Sequence, residues 1–383
     1  MFERTKDLQL SVIKQIELRA SKFPDVISLA QGIPNFDTPL CIKRRAEKAM
    51  EDGFTAKYSL SPGMPELREL IEISLAKENM FYDWEKEILV TNGSIEAISA
   101  SILAITNPGD EIIIPEPTYT SYREVIFMSG CKPVFVPLDE DKGWAFEIEK
   151  YKEAITPKTK AIFYCNPNNP TGTIYTKEQL LGLSKLALEN NLFLVSDEVY
   201  KDFIFDNSKI FSLAELSELR KKVIRIFSFS KVMAMTGWRV GYIHSDEENI
   251  KEIIKIHDCL TTCAPVVSQY AAMGGLEMAE KEINYFINEY KKRRDLICSR
   301  LDNLKEIFQY VKPNGAYYVF PKILLSKNNS WDFSIELLEK CGVAVVPGVA
   351  FGPNGEGHIR LSFGRSEYDI NKAFDRLDKY FKK

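Results

Sequence analysis

The chain has 383 residues, 45% apolar and 27% charged, which at about 150 residues per domain allows two or three units, each with its own core. Its 50 lysines and arginines stand against 54 acids, and the resulting net charge of −4 gives no electrostatic footprint for nucleic acid or an anionic membrane. No run approaches the roughly 18 apolar residues of a membrane span, and the opening MFERTKDLQL mixes acids with bases and lacks the apolar core of a signal peptide.

The seven cysteines are odd in number, scattered and without a CxxC pair. Neither a disulfide framework nor a zinc ribbon is expected, and a reducing cytoplasm fits best. The three histidines, at 244, 257 and 358, are not spaced as a helical metal site. No metal centre is expected, and acid–base work falls to other groups.

In chain order, short β-branched runs at 88–91, 111–114, 132–136, 161–164, 192–196, 223–228 and 240–244 alternate with amphipathic stretches. That pattern predicts an α/β fold with a mostly parallel seven-stranded sheet covered by helices on both faces. A long helical pattern follows over 275–308, with Ile283, Phe286, Ile287, Tyr290, Ile297 and Leu301 on one stripe and the KKRRD run opposite. Strands at 316–320, 343–346 and 359–363 with helices at 332–340 and 367–381 then predict a smaller α+β unit. No repeat or Ser/Gly linker separates the units.

Ligands of open α/β sheets bind at the carboxyl ends of strands, so the segments just past these runs are where chemistry is sought. The first, Thr91-Asn-Gly-Ser-Ile-Glu-Ala97, opens a helical pattern whose free N–H groups suit a phosphate; ordinary capping by Asn92 or Ser94 is the alternative. The second, Cys165-Asn-Pro-Asn-Asn-Pro-Thr-Gly172, is a loop stiffened by prolines that presents asparagine amides, or simply a turn.

The run from Leu192 to Tyr200 is a buried strand ending in Asp197, which faces a ligand or caps a helix. The segment from Ser228 to Gly241 carries Lys231 among apolar residues. A desolvated lysine close to an arginine becomes a nucleophilic amine, whereas most lysines at strand ends merely snorkel. Gly237 and Gly241 would let the backbone pass close to a ligand. Lastly, Arg360 lies in an apolar strand and requires an anionic partner, either a structural acid or a substrate carboxylate.

Taken in this order and spacing, the segments resemble the fold-type I aminotransferases of the aspartate aminotransferase superfamily (class I/II), which use pyridoxal 5′-phosphate. The resemblance runs from about Gly32 to Arg360. It implies that Lys231 holds the cofactor as an internal aldimine and, once freed by the amino acid, moves a proton from Cα. It further implies that Asp197 keeps the pyridine nitrogen protonated and that Asn169 and Tyr200 bond the ring's 3′ oxygen. Gly93, Ser94 and Ile95 would hold the phosphate together with Ser228 and Arg239. Tyr119 matches a ring stacked on the cofactor face, with a packing tyrosine as the alternative. Arg360 would grip the substrate α-carboxylate, with Gly32 and Asn169 beside it, and Tyr58 matches a residue lent to the neighbouring subunit's phosphate.

The resemblance therefore implies a homodimer with shared active sites, a large cofactor-binding domain over 41–274, and a small domain formed by 1–40 and 275–383. It also implies transamination between an L-amino acid and a 2-oxo acid such as 2-oxoglutarate. In one aspartate-specific branch an arginine binds the second carboxylate, but that position falls near Pro265 and residues 245–275 hold no arginine; in another a lysine does so, and here the matching residue is Ile95. Broad or non-aspartate specificity is expected. A C–S lyase acting by β-elimination is the main alternative. A non-catalytic cofactor sensor is disfavoured, because the stretch before Gly32 is too short for a DNA-binding domain.

Overall fold

The computed structural model describes residues 5, 8, 10–325 and 329–382. Seven strands share one sheet: β1 (Ile88–Thr91), β2 (Glu111–Glu116), β3 (Lys132–Pro137), β4 (Thr159–Cys165), β5 (Phe193–Asp197), β6 (Val223–Ser228) and β7 (Gly241–His244). Their order is β1-β7-β6-β5-β4-β2-β3, and only β7 runs antiparallel to its neighbours. Strands β1, β2, β6 and β7 are buried at every residue, as their near-continuous apolar runs require under helices on both faces. Edge strand β3 carries exposed Lys132 and two prolines, which suit a strand with one open side.

The antiparallel strand decides where the site forms. Gly241, the first residue of β7, pairs with Thr91 at the end of β1 and with Ser228 at the end of β6. The segments following Thr91, Asp197 and Ser228 therefore emerge at one sheet edge.

Both chain ends meet in a second region. Ile27–Ser28 pairs in parallel with Val343–Ala344, and Tyr318–Val319, Ile359–Ser362 and Val346–Pro347 form an antiparallel three-stranded sheet. The run 343–346 is thus two short strands in different sheets. The 316–320 run contributes only Tyr318–Val319. The helical run 332–340 is helix Ser330–Glu336 followed by a π-helical turn, Leu337–Cys341, closed by Gly342 in the left-handed region.

The long pattern over 275–308 is also divided, into helices Val266–Met278 and Glu280–Asp302 that meet at Ala279. Its KKRRD run is not wholly a solvent face: Arg293 and Arg294 are buried. Arg294 pairs with Asp206 and Asp295, and Arg293 lies over the rings of Phe36 and Tyr290, so each guanidinium has one partner distant in sequence and one close by. Helices Val12–Ala20 and Leu40–Glu51 fall outside the predicted elements. Among the described residues, no helix is long and apolar enough to cross a membrane.

Candidate active site

A cavity of about 640 Å³ opens at the carboxyl edge of the sheet, and Gly32, Ser94, Ile95, Tyr119, Asn169, Asp197, Tyr200, Lys231, Arg239 and Arg360 all line it. Ten residues drawn from seven stretches of sequence thus share one wall.

Lys231 follows β6, and its Nζ donates to Gly32 O at 2.9 Å. Burial pulls this amine down to about 8, the guanidiniums of Arg360 and Arg239 push the same way, and Asp197 opposes them. The lysine is therefore not a snorkeling surface residue, and its amine gives up its proton more readily than an ordinary lysine. Asp197 closes β5 with only 3% of its surface exposed, and burial raises its carboxyl to about 6. Tyr122 Oη donates to its Oδ2 at 2.7 Å and the Val199 amide to its Oδ1 at 3.1 Å, and both bonds favour the ionised form.

The loop after β4 presents Asn169, while Asn168 is turned away, its amide donating to Pro117 O and Thr171 Oγ1. Asn169 Nδ2 approaches Tyr200 Oη at 3.4 Å, and Tyr200 Oη meets Tyr318 Oη at 2.9 Å. Arg360, 1% exposed, donates from Nη1 to Asn169 Oδ1 at 3.1 Å and from Nη2 to Ala30 O. The rings of Tyr318 and Phe351 lie against its guanidinium, and Nε has no partner. Among the described residues no carboxylate pairs with it. A structural acid is thereby excluded there, and a buried cation without an acid is built to receive one.

At the start of helix Ser94–Ile105, Gly93 has φ +78°, and a Cβ there would lie 2.5 Å from Arg239 Nη2. Backbone, helix start and guanidinium thus crowd together as an anion cradle. Neither Asn92 nor Ser94 caps this helix.

Four of the residues singled out in the sequence, Ser228, Gly241, Gly237 and Gly32, sit differently from expectation. Ser228 does not line the cavity: its Oγ bonds Ser230 Oγ at 2.8 Å and Val240 O at 3.2 Å, and Ser230 is the serine on the wall. Gly241 makes room for backbone, since a Cβ would stand 2.5 Å from Phe227 O, and Gly237 has nothing near it. Gly32 faces Lys231 and the Tyr317 hydroxyl with its carbonyl oxygen. Tyr58 lies outside this cavity and is 84% exposed.

Sequence reasoning missed Tyr122, Tyr318, Ser230 and helix Val12–Ala20, whose Ile13, Lys14, Glu17 and Leu18 form one side of the cavity. Only Tyr122 carried a signal: it stands three residues after Tyr119, one helical turn along the same face.

A poised amine, a buried carboxylate beyond it, an anion cradle at a helix start and an acid-free buried arginine fit pyridoxal 5′-phosphate carrying an amino acid. Fold and site together define a fold-type I pyridoxal-phosphate enzyme. Residues 24–377 match the family described as aminotransferase class I and II. The chain is 37% identical over 99% of its length, and 97% of the relative's, to an aspartate aminotransferase of Pyrococcus abyssi. It is 34% identical, over 99% of its length and 98% of the relative's, to aromatic-amino-acid aminotransferase 2 of Thermococcus litoralis. The solved structure of the Thermus thermophilus aspartate aminotransferase with maleate superposes with a TM-score of 0.93 at 33% identity, over 99% of each chain. The chain belongs to the class I and II aminotransferases, and it is an aminotransferase that uses pyridoxal 5′-phosphate.

Proposed function

We propose that this enzyme transfers the amino group of a broad set of L-amino acids to a 2-oxo acid such as 2-oxoglutarate, with Lys231 as both cofactor anchor and proton carrier. The observation that carries this reading is the Lys231 amine, drawn down to about 8 between Arg360, Arg239 and Asp197. Bound in the cavity, pyridoxal 5′-phosphate supplies the electron sink that lets the Cα–H bond break heterolytically.

The chain's residues do the rest. Arg360 grips the α-carboxylate with its two-nitrogen fork and Asn169 steadies that fork. Lys231 Nζ takes the Cα proton, the work a histidine does in many enzymes. Asp197, held by Tyr122 and Val199, keeps a negative charge opposite the ring nitrogen. Tyr200, tied to Tyr318 and Asn169, donates to the ring oxygen, and Gly93, Ser94, Ile95, Ser230 and Arg239 receive the phosphate, with Ser228 orienting Ser230. Tyr119 supplies a ring at the cofactor face.

Tyr58 serves the phosphate of a second copy in a homodimer. Its exposure, shared by neighbouring Phe54 and Leu60, supports that reading. The division into 41–274 and 1–40 with 275–383 is supported by the pairing of Ile27–Ser28 with Val343–Ala344. A cytoplasmic enzyme agrees with seven cysteines that are all free.

The test is a single-turnover panel. Aspartate, glutamate, leucine, phenylalanine and a cysteine conjugate are each mixed with the holoenzyme and the visible band is followed. Conversion of several, reversed by 2-oxoglutarate, is expected; release of pyruvate and ammonia from the conjugate with no acceptor would establish elimination instead. Tyr122→Phe is expected to weaken cofactor retention roughly 10- to 100-fold, because a hydrogen bond to a charged group contributes about 1.5–3 kcal/mol. Equilibrium dialysis of the cofactor reads this directly.

A further inference from the structure

Six charged side chains line the cavity: Lys14, Glu17, Asp197, Lys231, Arg239 and Arg360. The reaction proposed above occupies four of them. Of the remaining two, Glu17 is engaged, its carboxylate accepting from Ser28 Oγ. Lys14 is the unassigned cation: it is exposed, and among the described residues it has no acid partner.

Lys14 stands on helix Val12–Ala20, whose Ile13, Lys14, Glu17, Leu18 and Ser21 follow the i, i+1, i+4, i+5, i+8 spacing of one helical face. Ile33 and Ile95 line the same cavity, so Lys14 shares its lining with apolar side chains as well as with Glu17 and Ser21. Ile95 contributes no charge, and neither does the Pro265 region.

We propose that Lys14 binds the distal carboxylate of dicarboxylic substrates, so that glutamate, aspartate and their oxo acids are recognised by a cation carried on this helix. The inference rests on the transaminase reading and names the substrate class that its site accepts. A lysine suits the task because its ammonium sits on a four-carbon stem with free rotation and no fixed partner. Turned inward it meets a second carboxylate beside apolar walls that strengthen the attraction. Turned out to water it leaves Ile13, Leu18, Ile33 and Ile95 to receive an apolar side chain. One site then alternates between an acidic and an apolar substrate without burying an unpaired charge in either state.

The experiment uses the holoenzyme and its Lys14→Ala, Lys14→Glu and Lys14→Arg variants, with glutamate and leucine half-reactions and with maleate as an unreactive dicarboxylate. Lys14→Ala is expected to raise KM for glutamate roughly tenfold, and Lys14→Glu more, since each tenfold step corresponds to about 1.4 kcal/mol of lost attraction. KM for leucine and kcat for both substrates stay within about twofold, Lys14→Arg restores glutamate binding, and the thermal stabilisation by maleate shrinks in the alanine variant. Equal losses for glutamate and leucine would reveal a structural role of the helix and overturn the proposal, as would an unchanged glutamate KM together with an unchanged maleate shift. Wild-type holoenzyme converting neither amino acid would instead sink the broad-specificity reading, a result separable from any Lys14 effect.

Discussion

Lys231→Ala is expected to abolish the visible absorbance band of the holoenzyme and to lower kcat by at least ~10⁴-fold, the upper range for loss of a positioned acid–base group, since the covalent anchor goes with it. The charged residues that neighbour it, Arg239, Arg360 and Asp197, cannot substitute. Arg239 and Arg360 present guanidiniums, which are donors with no acceptor lone pair, Asp197 accepts from a tyrosine hydroxyl and a backbone amide, and among the described residues no histidine reaches the cavity. Retention of both band and turnover would remove Lys231 from the mechanism.

The same residue yields a stability test with a defined sign. Lys231 titrates at about 8 in the folded apoenzyme and at the ordinary lysine value of 10.5 when unfolded. Between these values the unfolded chain holds a proton that the folded chain lacks, so this group makes stability rise with pH across that window. Below pH 8 both states are charged and the full cost of burying the ammonium near two guanidiniums is present. Apo Lys231→Met is therefore expected to be more stable than apo wild type at pH 7, by about 1–3 kcal/mol, with the gain fading as the pH climbs toward 10.5. Loss of a favourable neighbour for Asp197 offsets part of it. Denaturant unfolding at pH 7 and pH 10 measures both.

How far the sequence reaches can be seen in the same elements. Strands β1 and β6 match their predicted bounds because each is a short buried run that follows a charged residue and ends on a hydroxyl residue, Thr91 or Ser228. The predicted start of β7 is one residue early: Arg239 takes a positive φ of 56°, and the ladder begins only at Gly241. Lys231, Asp197, Asn169 and Arg360 could be singled out because each stands at or beside a strand in a segment of unusual composition. Tyr318 could not, and Tyr122 offered only its place one helical turn past Tyr119. Each is one of 17 tyrosines, and each acquires its place from a contact across 75 or 118 residues of chain. Helix Val12–Ala20 was missed for a related reason: whether its mixed face meets solvent or a cavity is decided by packing.

Arg360→Lys is expected to cost about 10²–10³-fold in kcat/KM, the 3–4 kcal/mol typical of breaking a buried, hydrogen-bonded charge contact. Arg360 reaches Asn169 and Ala30 while its Nε stays unpartnered, and two aromatic rings hold the guanidinium plane. An ammonium on a shorter stem can reproduce neither the fork nor the stacking. Every amino acid carries the α-carboxylate, so the loss must be the same for glutamate and leucine, in contrast to the selective loss at Lys14. A primary amine without a carboxylate must react equally poorly with wild type and variant. Stability should move the other way: with no acid beside it, the burial of the guanidinium is offset only in part by its two hydrogen bonds and two aromatic rings, and a ligand carboxylate completes the match. Apo Arg360→Met is therefore expected to unfold at no lower denaturant concentration than wild type, even though its turnover collapses. Parallel loss of stability and activity would mean that Arg360 is an ordinary structural cation, and the α-carboxylate would have to be assigned elsewhere.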